Sequence, residues 1–364
     1  MDVPVLRWLD PPEGPAIALL DQTRLPAEET VAVCRDVTAL VDAIRRLVVR
    51  GAPILGVAGA FGVALAAARG DDVAAAADAI GRARPTAVNL AWGARRALAA
   101  FQAGLEAGQE NPSDPQRIAA QAALDEARAI AMQDAAASAA MAAYGLPLLP
   151  PRGARILTHC NTGALVSAGE GTAFAVILAA HRAGRLARLW VDETRPLLQG
   201  SRLTAYEARR AGMDYAVLPD AAAASLLSAG QVDIVLTGAD RIAADGSVAN
   251  KIGTYGLAVL ARRHGVPFVV VAPVSTIDFD APDGGAIVLE QRAPEEVTFL
   301  AGQPIAPRGS AAYNPAFDVT PAALITALVT ECGVAQPVTA GNLRLLCAGP
   351  GARDSALTDT SVEL

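Results

Sequence analysis

Lysine is nearly missing from this chain. Of its 364 residues, 30 are lysine or arginine, and Lys251 is the one lysine among them. Arginine presents a planar fork of donors, whereas the lysine ammonium is a compact charge on a flexible stem that fits a narrow anionic site. Because arginine serves everywhere else, Lys251 is a candidate functional residue, although chance survival of a single lysine also fits this count.

Aromatic residues, cysteine pairs and basic runs are also scarce. Aromatics make up 4% of the chain against 52% hydrophobic residues, so Ala, Val, Leu and Ile must build the core. The four cysteines lie far apart without C-x-x-C spacing, which argues against a zinc site or a disulfide framework and predicts reduced thiols in a cytoplasm. A net charge of −7 without a basic run argues against nucleic acid and anionic membranes as partners.

Targeting and membrane signals are absent from the pattern. The segment from Met1 to Pro11 carries acidic residues and has no basic stretch followed by an apolar run, so no signal peptide is predicted. Gly, Arg and Asp interrupt every segment that approaches the roughly 18 apolar residues of a membrane span. We expect no membrane association and a small molecule or a protein as the partner.

Residues 1–145 are predicted to form a mainly helical N-terminal domain with a short β segment at its start. The β segment lies near Ile17 to Leu20. Apolar residues then recur at helical spacing, with Gly and Ala allowing close packing. The predicted helices cover about 37–49, 51–68, 71–82, 89–107 and 116–141.

Residues 146–153 are predicted to be a linker, after which the pattern changes. Short β-rich runs at 155–158, 189–192, 214–218, 233–237 and 268–272 alternate with helical stretches at 172–183, 205–211, 221–229 and 256–264. Continuous apolar strands indicate a parallel sheet covered on both faces. The fold class is therefore α/β, with a Rossmann-like catalytic domain at 154–335 and a partly disordered tail at 336–364.

Polar residues follow three of these predicted strands, at 158–163, 192–195 and 237–241. Ligands of an open parallel sheet bind at the carboxyl ends of its strands, so these three loops should share one rim. The first strand is not followed by G-x-G-x-x-G, and the chain has no P-loop sequence. Neither a dinucleotide site nor a P-loop nucleotide site is predicted.

Cys160 and Asp240 are the reactive side chains at this rim. A cysteine at a strand end is more often a small hydrophobe, but residues 161–164 are expected to open a helix whose N-terminus would favour a thiolate. His159 should point away from Cys160, which disfavours a Cys-His dyad, and both His159 and Asp192 are expected to be structural groups satisfied by backbone. Asp240 is either a capping or turn residue or a carboxyl whose pKa is raised beside apolar strands, suited to general acid catalysis.

Three cationic positions could hold an anion near this pair. Lys251 follows Asp240 by eleven positions, and Arg50 and Arg84 each precede a predicted helix start. An arginine beside free backbone N–H groups is suited to binding phosphate. Each motif is weak alone, because surface arginines usually face water.

Taken together, the motifs resemble those of the 5-methylthioribose-1-phosphate isomerase family, in the superfamily that includes regulatory subunits of the translation-initiation guanine-nucleotide exchange factor. The resemblance runs from about Leu19 to Gly333. Its most specific segments are 50–53 (RGAP), 84–90 (RPTAVNL), 156–161 (ILTHCN), 193–200 (ETRPLLQG), 237–241 (TGADR), 250–253 (NKIG) and 314–318 (NPAFD).

The resemblance implies conversion of 5-methylthioribose 1-phosphate to 5-methylthioribulose 1-phosphate in methionine salvage, by a homodimer that needs no metal and no organic cofactor. It implies that Cys160 and Asp240 are the catalytic pair, with Asp240 as the proton donor. The substrate contacts that it implies are Arg50, Gly51, Ala52, Arg84, Gln199, Asn250 and Lys251.

Two kinds of alternative stay open at this point. The substrate could be a related sugar phosphate, 5-deoxyribose 1-phosphate or ribose 1,5-bisphosphate, or the chain could be a non-catalytic subunit resembling the exchange-factor proteins. For the isomerase, the C2 hydrogen could leave as a proton to a Cys160 thiolate, through an enediol, or shift to C1 as a hydride.

Overall fold

A computed structural model describes residues 4–84, 86–108 and 114–348. The first part of the chain is a three-stranded antiparallel sheet, ordered β1-β2-β3, followed by five helices. The strands are β1 (Leu6–Leu9), β2 (Ala16–Leu20) and β3 (Val31–Cys34), and the helices are α1 (Val37–Arg45), α2 (Ala52–Arg69), α3 (Val73–Gly81), α4 (Val88–Gly108) and α5 (Pro115–Gly145).

Helix α2 is the centre of this helical region. It packs on α4 and α5, and a Cβ on Gly59 or Gly93 would strike the backbone of the facing helix, so small residues set the close approach of α2 and α4. Among the described residues, α2 is the one helix long and apolar enough to cross a membrane, but 83% of it is buried inside the protein. Its apolar composition is therefore explained by core packing.

The rest of the chain alternates strands and helices, as its sequence predicts. The strands are β4 (Ala154–Thr158), β5 (Leu186–Asp192), β6 (Tyr215–Leu218), β7 (Ile234–Thr237), β8 (Arg241–Ala243), β9 (Val248–Lys251), β10 (Phe268–Val271), β11 (Ile277–Asp278), β12 (Phe299–Leu300), β13 (Gln303–Pro304), β14 (Phe317–Thr320), β15 (Ala327–Thr330) and β16 (Gly333–Ala335). The helices are α6 (Ala173–Arg182), α7 (Ala205–Arg210), α8 (Ala223–Ser228), α9 (Thr254–Arg263), α10 (Glu295–Thr298) and α11 (Ala340–Cys347).

A seven-stranded sheet in the order β16-β15-β10-β7-β4-β5-β6 organises this part. All neighbouring strands are parallel except β15 and β16. Two buried apolar clusters cover its faces, which confirms the predicted α/β class with a parallel sheet. The chain runs outward from β4 through β5 and β6, then returns to β7 on the other side, so the topological switch point lies between β4 and β7.

A second, four-stranded sheet in the order β11-β8-β9-β14 was not predicted from the sequence. Its strands are two to four residues long and contain polar residues such as Arg241, Asn250 and Lys251. They lack the continuous apolar run by which the main strands are recognised. This small sheet stands directly after β7 and carries residues of the candidate site.

The described C-terminal residues end in α11, which the weak periodicity of the tail does not predict. Leu343 and Leu346 of this helix are buried against the sheet. The predicted disorder near the end of the chain concerns residues 349–364, which lie outside the described residues. The domain boundaries at 145, 153 and 335 stay predictions.

Candidate active site

A pocket lies at the switch point, between the carboxyl ends of the central strands and the start of α2. Residues after β4, β5 and β7 form one wall, and α2 with the loop before α4 forms the other. Every site residue predicted from the sequence lines this pocket: Cys160, Asp240, Arg50, Gly51, Ala52, Arg84, Gln199, Asn250 and Lys251. Their chemical roles stay predictions.

Cys160 stands in a backbone turn just after β4. Its φ of 64° is in the left-handed region, which is unusual for a residue with a side chain. Two hydroxyls hold this turn: the Cys160 N–H donates to Thr194 Oγ1 at 2.8 Å, and the Cys160 carbonyl accepts from Thr204 Oγ1 at 2.5 Å. Backbone strain maintained by tertiary contacts is common where a side chain must be aimed at a ligand.

The predicted helix start at 161–164 is wrong. The chain makes only a short 3₁₀ turn at Ala164–Val166, and α6 begins at Ala173. The helix dipole predicted to act on the thiol from residues 161–164 is therefore not present there. Burial raises the pKa of the Cys160 thiol, while the positive charges of Arg50 and Lys251 act in the opposite direction. These two side chains, with a backbone hydrogen bond from Asn161, favour a thiolate at this position.

Asp240 and Lys251 are brought together by the β8–β9 hairpin. Arg241 pairs with Ala249 across the hairpin, and the Asp240 N–H donates to the Ala249 carbonyl at 2.9 Å. Asp240 thus lies opposite Asn250, one residue from Lys251. The eleven-residue spacing in the sequence is the length of this hairpin.

Burial raises the pKa of the Asp240 carboxyl, although the charges of Arg84, Arg50 and Lys251 favour its ionised form. A raised pKa lets a carboxylic acid keep its proton closer to neutral pH than it does in water. Asp240 is therefore suited to donate a proton inside the pocket.

Two cationic side chains have uncommitted donors at the pocket. Arg50 NH2 donates to the Asn161 carbonyl at 3.0 Å, but the buried Arg50 NH1 has no hydrogen-bond partner in the described parts of the chain. Lys251 is 5% exposed, and no ion pair or hydrogen bond to its ammonium occurs among the described residues. Burial lowers the pKa of Lys251, whereas nearby Cys160, Glu296 and Asp240 favour its charged form. Buried cationic donors without partners indicate an anion site.

Gly51 supplies the backbone that completes this anion site. Its φ is 102°, and a Cβ at this position would lie 2.3 Å from Val166 Cβ, so only glycine fits. The residue immediately precedes α2, whose first N–H groups have no partner within the helix. Ala52, the first residue of α2, also lines the pocket. Helix start and cations therefore face the same space.

Gln199 and Asn250 provide neutral polar groups. The buried Gln199 Oε1 has no hydrogen-bond partner in the described part of the protein, and the residue lines the pocket. Asn250 Nδ2 donates to Thr254 Oγ1 at 3.0 Å, which fixes the amide at the end of β9. A sugar hydroxyl can satisfy both kinds of amide atom.

His159 and Asp192 are structural, but they are satisfied mainly by each other and not by backbone alone as predicted. His159 Nδ1 lies 3.0 Å from Asp192 Oδ2, and Nε2 lies 2.9 Å from the Ile252 carbonyl oxygen. Because a carbonyl only accepts, Nε2 carries a proton, and a second proton is shared between Nδ1 and Asp192. Burial opposes a charged His159, yet this hydrogen bond and the charges of Asp192 and Asp220 raise its pKa.

This pair connects the two strands that carry the site, since Cys160 follows His159 and Lys251 precedes Ile252. With Asp220, the two residues form a group whose possible metal-ligand atoms lie within 4.8 Å of one another. Asp220 already accepts the backbone N–H groups of Thr194 and Arg195. Hydrogen bonds engage all three side chains, although the buried Asp192 Oδ1 has no partner among the described residues.

Glu207 is a buried carboxyl that the sequence did not single out. Its Oε2 accepts from Asn161 Nδ2 at 2.5 Å, and its Oε1 accepts from the Leu165 N–H at 3.2 Å. Burial raises its pKa to about 7, against the effect of these hydrogen bonds. Because Asn161 also binds Arg50, Glu207 supports the turn that carries Cys160.

Arg292 and Phe317 also line the pocket and were not predicted as site residues. Phe317 belongs to the 314–318 segment, to which the sequence assigns no role, and its ring lies 5.9 Å from the Arg84 guanidinium. Arg292 follows no recognisable motif. Its position depends on the folding of the long segment between β11 and β14, so the sequence gives no signal for it.

Proteins similar to this chain are known. The initiation factor 2 subunit family matches residues 48–337. The methylthioribose-1-phosphate isomerase of Pelotomaculum thermopropionicum is 48% identical over 342 residues, which cover 92% of both chains.

Solved structures share the fold. The crystal structure of 5-methylthioribose 1-phosphate isomerase from Pyrococcus horikoshii matches with a TM-score of 0.83 and 39% identity, over 96% of this chain and 97% of that one. The translation initiation factor eIF-2B subunit delta from A. fulgidus matches with a TM-score of 0.77 and 39% identity, over 94% and 99%. The same fold therefore occurs in a protein named as an isomerase and in one named as an initiation factor subunit.

Proposed function

The chain belongs to the methylthioribose-1-phosphate isomerases of the initiation factor 2 subunit family, and we propose that its pocket converts 5-methylthio-D-ribose 1-phosphate to 5-methylthio-D-ribulose 1-phosphate. As a member it is an isomerase of methionine salvage. The observation that carries the proposal for the site is the convergence of Cys160 and Asp240 with two uncommitted cations in one pocket.

The substrate phosphate is held, in this proposal, by Arg50 and Lys251 together with the start of α2. Arg50 NH1 and the Lys251 ammonium offer charged donors, and the backbone at Gly51 and Ala52 offers helix N–H groups. Two unit positive charges match a phosphate dianion. Arg84, Gln199 and Asn250 then bind the sugar hydroxyls.

The first chemical step is opening of the sugar ring. A ring whose anomeric carbon carries phosphate cannot open spontaneously to an aldehyde, so an acid must protonate the ring oxygen while the phosphate stays attached. Asp240 supplies this proton, because burial keeps its carboxyl protonated to higher pH than in water. Loss of its proton leaves a carboxylate that Arg84, Arg50 and Lys251 stabilise.

The second step moves hydrogen from C2 to C1. In one route a Cys160 thiolate, stabilised by Arg50 and Lys251, removes the C2 proton to give an enediol, and the thiol then returns a proton to C1. In the other route a hydride shifts directly from C2 to C1, and Cys160 shields the site from water. In both routes the 2-hydroxyl proton passes to the Asp240 carboxylate, which restores the acid and leaves the ketone at C2. Both routes place Cys160 against the C1–C2 bond.

Apolar residues at the pocket suit the 5-methylthio group. Leu47, Val166, Leu197 and Phe317 line the pocket near the cations. A methylthio group needs only such an apolar surface, and a 5-deoxy methyl group is its nearest rival.

The test of this assignment is the kcat/KM of the purified protein on three sugars: 5-methylthioribose 1-phosphate, 5-deoxyribose 1-phosphate and ribose 1,5-bisphosphate. We expect the methylthio sugar to give the highest value, because its larger apolar group buries more surface. Equal or better activity on a rival sugar would overturn the substrate assignment. No turnover of any of the three would favour a binding protein.

Exchanging Lys251 for arginine is expected to raise KM by roughly ten- to a hundredfold, the value of one charged hydrogen bond. Lys251 is buried at a crowded strand end, where the wider guanidinium cannot replace a compact ammonium. Steady-state kinetics on the methylthio sugar provide the measurement. The matched control is the reverse exchange, Arg152→Lys, at an exposed position. An unchanged KM in the Lys251→Arg protein would mean that the ammonium has no special role and that the single lysine survived by chance.

We also propose that the protein is a cytoplasmic homodimer. The dimer rests on the family resemblance alone. The cytoplasmic location is supported by the four cysteines, which lie far apart in the sequence without C-x-x-C spacing, as is typical of reduced thiols.

A further inference from the structure

A second pair of cations, Arg84 and Arg292, lines the pocket beside the proposed phosphate site. Both are held by one carboxylate. Glu290 Oε2 accepts from Arg84 NH2 at 2.9 Å and from Arg84 Nε at 3.3 Å, and Glu290 Oε1 accepts from Arg292 NH1 at 2.7 Å. Glu290 therefore bridges two arginines that would otherwise face the pocket together.

The bridge is rigid and largely withdrawn from water. The side chains of Arg84, Glu290 and Arg292 are 11 to 18% exposed. The Glu290 carbonyl accepts from the Ala316 N–H at 2.8 Å, and the Thr86 hydroxyl donates to the Val288 carbonyl at 3.1 Å. The backbone at Glu290 and just before it is thus fixed to Ala316, which lines the pocket, and to Thr86.

The charges of this group cancel. Arg292 also binds Glu296 through Nε at 2.8 Å and through NH2 at 2.5 Å. Burial opposes ionisation of Glu290, but Arg84 and Arg292 outweigh it and lower the pKa of this carboxyl. Two arginines and two carboxylates then sum to zero, so while Cys160 and Asp240 are protonated the charge left for a ligand is that of Arg50 and Lys251, which matches one phosphate dianion.

We infer that Glu290 is a specificity-determining residue, whose carboxylate occupies the arginine pair that would otherwise bind a second phosphate and so restricts the pocket to sugars with one phosphate group. The inference rests on the proposed function. A sugar with phosphates at both C1 and C5 meets a filled cationic site and a fixed negative charge. Discrimination by a built-in repulsive group is a common means of specificity.

Arg84 keeps a donor for the substrate in this arrangement. Arg84 Nε and NH2 donate to Glu290, whereas Arg84 NH1 has no hydrogen-bond partner among the described residues. Arg84 can therefore bind a sugar hydroxyl through NH1 while its charge stays neutralised. The contact implied by the family resemblance and the bridge to Glu290 are compatible.

The test compares kcat/KM for 5-methylthioribose 1-phosphate and for ribose 1,5-bisphosphate in the wild-type protein and in Glu290→Gln. Glutamine keeps the shape but removes the charge. We therefore expect the ratio of the two kcat/KM values to shift toward the bisphosphate by roughly tenfold or more. The inhibition constant of the bisphosphate, measured against the methylthio sugar, should fall. Glu296→Gln should shift the ratio in the same direction and less. The control is Glu170→Gln, which removes a carboxylate from the exposed pair with Arg182 and should leave the ratio unchanged.

A ratio that stays constant or moves away from the bisphosphate in Glu290→Gln would overturn the inference. Loss of activity on both sugars in both variants would also overturn it, because a purely structural bridge predicts that result. Wild-type turnover of the methylthio sugar is measured in the same series. Its absence would contradict the proposed function, whereas its presence with an unchanged ratio would contradict only the role of Glu290.

Discussion

Asp240→Asn is expected to lower kcat by roughly 10²- to 10⁴-fold, the usual contribution of a general acid. The amide has nearly the same shape as the carboxyl, but it has no acidic proton for the ring oxygen. Arg50 and Lys251 stay in place, so we expect little change in KM. The measurement is steady-state kinetics on 5-methylthioribose 1-phosphate.

The pH profile tests the same role independently. Burial raises the pKa of Asp240, so the acid stays protonated to higher pH than a free aspartate and loses its proton above that pKa. Wild-type kcat should therefore fall on the alkaline side of the Asp240 pKa. The residual activity of the variant should lack this fall.

Asp214→Asn is the matched control for Asp240, since Asp214 makes an exposed ion pair with Arg188 outside the pocket. It should keep the wild-type kcat and pH profile. Near-wild-type turnover in Asp240→Asn would rule out Asp240 as the acid.

Cys160→Ser should cause the second large loss, again of roughly 10²- to 10⁴-fold in kcat. A serine hydroxyl ionises far less readily than a thiol, so Arg50 and Lys251 cannot convert it to an effective base at neutral pH. The turn around position 160 is held by backbone contacts to Thr194 and Thr204, which serine leaves intact. The substitution should therefore lower kcat without destabilising the protein, so the midpoint of thermal unfolding should stay unchanged.

The control for this substitution is Cys347→Ser, at a cysteine that is partly buried like Cys160 but lies in α11. It should retain full turnover.

Turnover in deuterated water separates the two routes for wild-type protein, because an enediol exchanges its hydrogen with solvent and a hydride shift does not. Cys160→Ser with normal kcat would exclude the thiol from both.

The parallel sheet and its rim were predictable from the sequence for one reason. Strands β7 and β10 are buried at every residue and appear as apolar runs, and β4 does so apart from the half-buried Arg155. Cys160 and Asp240 follow two such runs directly, and adjacent parallel strands end at one edge. Local sequence was sufficient to place this pair together.

The groups that surround the pair depend on contacts that local sequence does not encode. Lys251 lies on the short polar strand β9, which becomes a strand only by pairing with β8 and β14. The prediction of a helix after Cys160 is wrong because a contact distant in the sequence overrides the local pattern. Small polar residues at 161–164 suit a helix start, but Asn161 and the Leu165 N–H are bound by Glu207, which holds the segment in another shape.

The long-range bonds across the pocket also have a consequence for the order in which the protein matures during translation. Asn161, the partner of Arg50, follows it by 111 positions, and Glu290, the partner of Arg84, follows it by 206 positions. At roughly 5–20 residues per second of synthesis, the helical region exists for some seconds with these guanidinium groups unpaired. The anion site is therefore completed only after β9, which carries Lys251, has emerged from the ribosome, and the bridge from Arg84 to Glu290 forms later still.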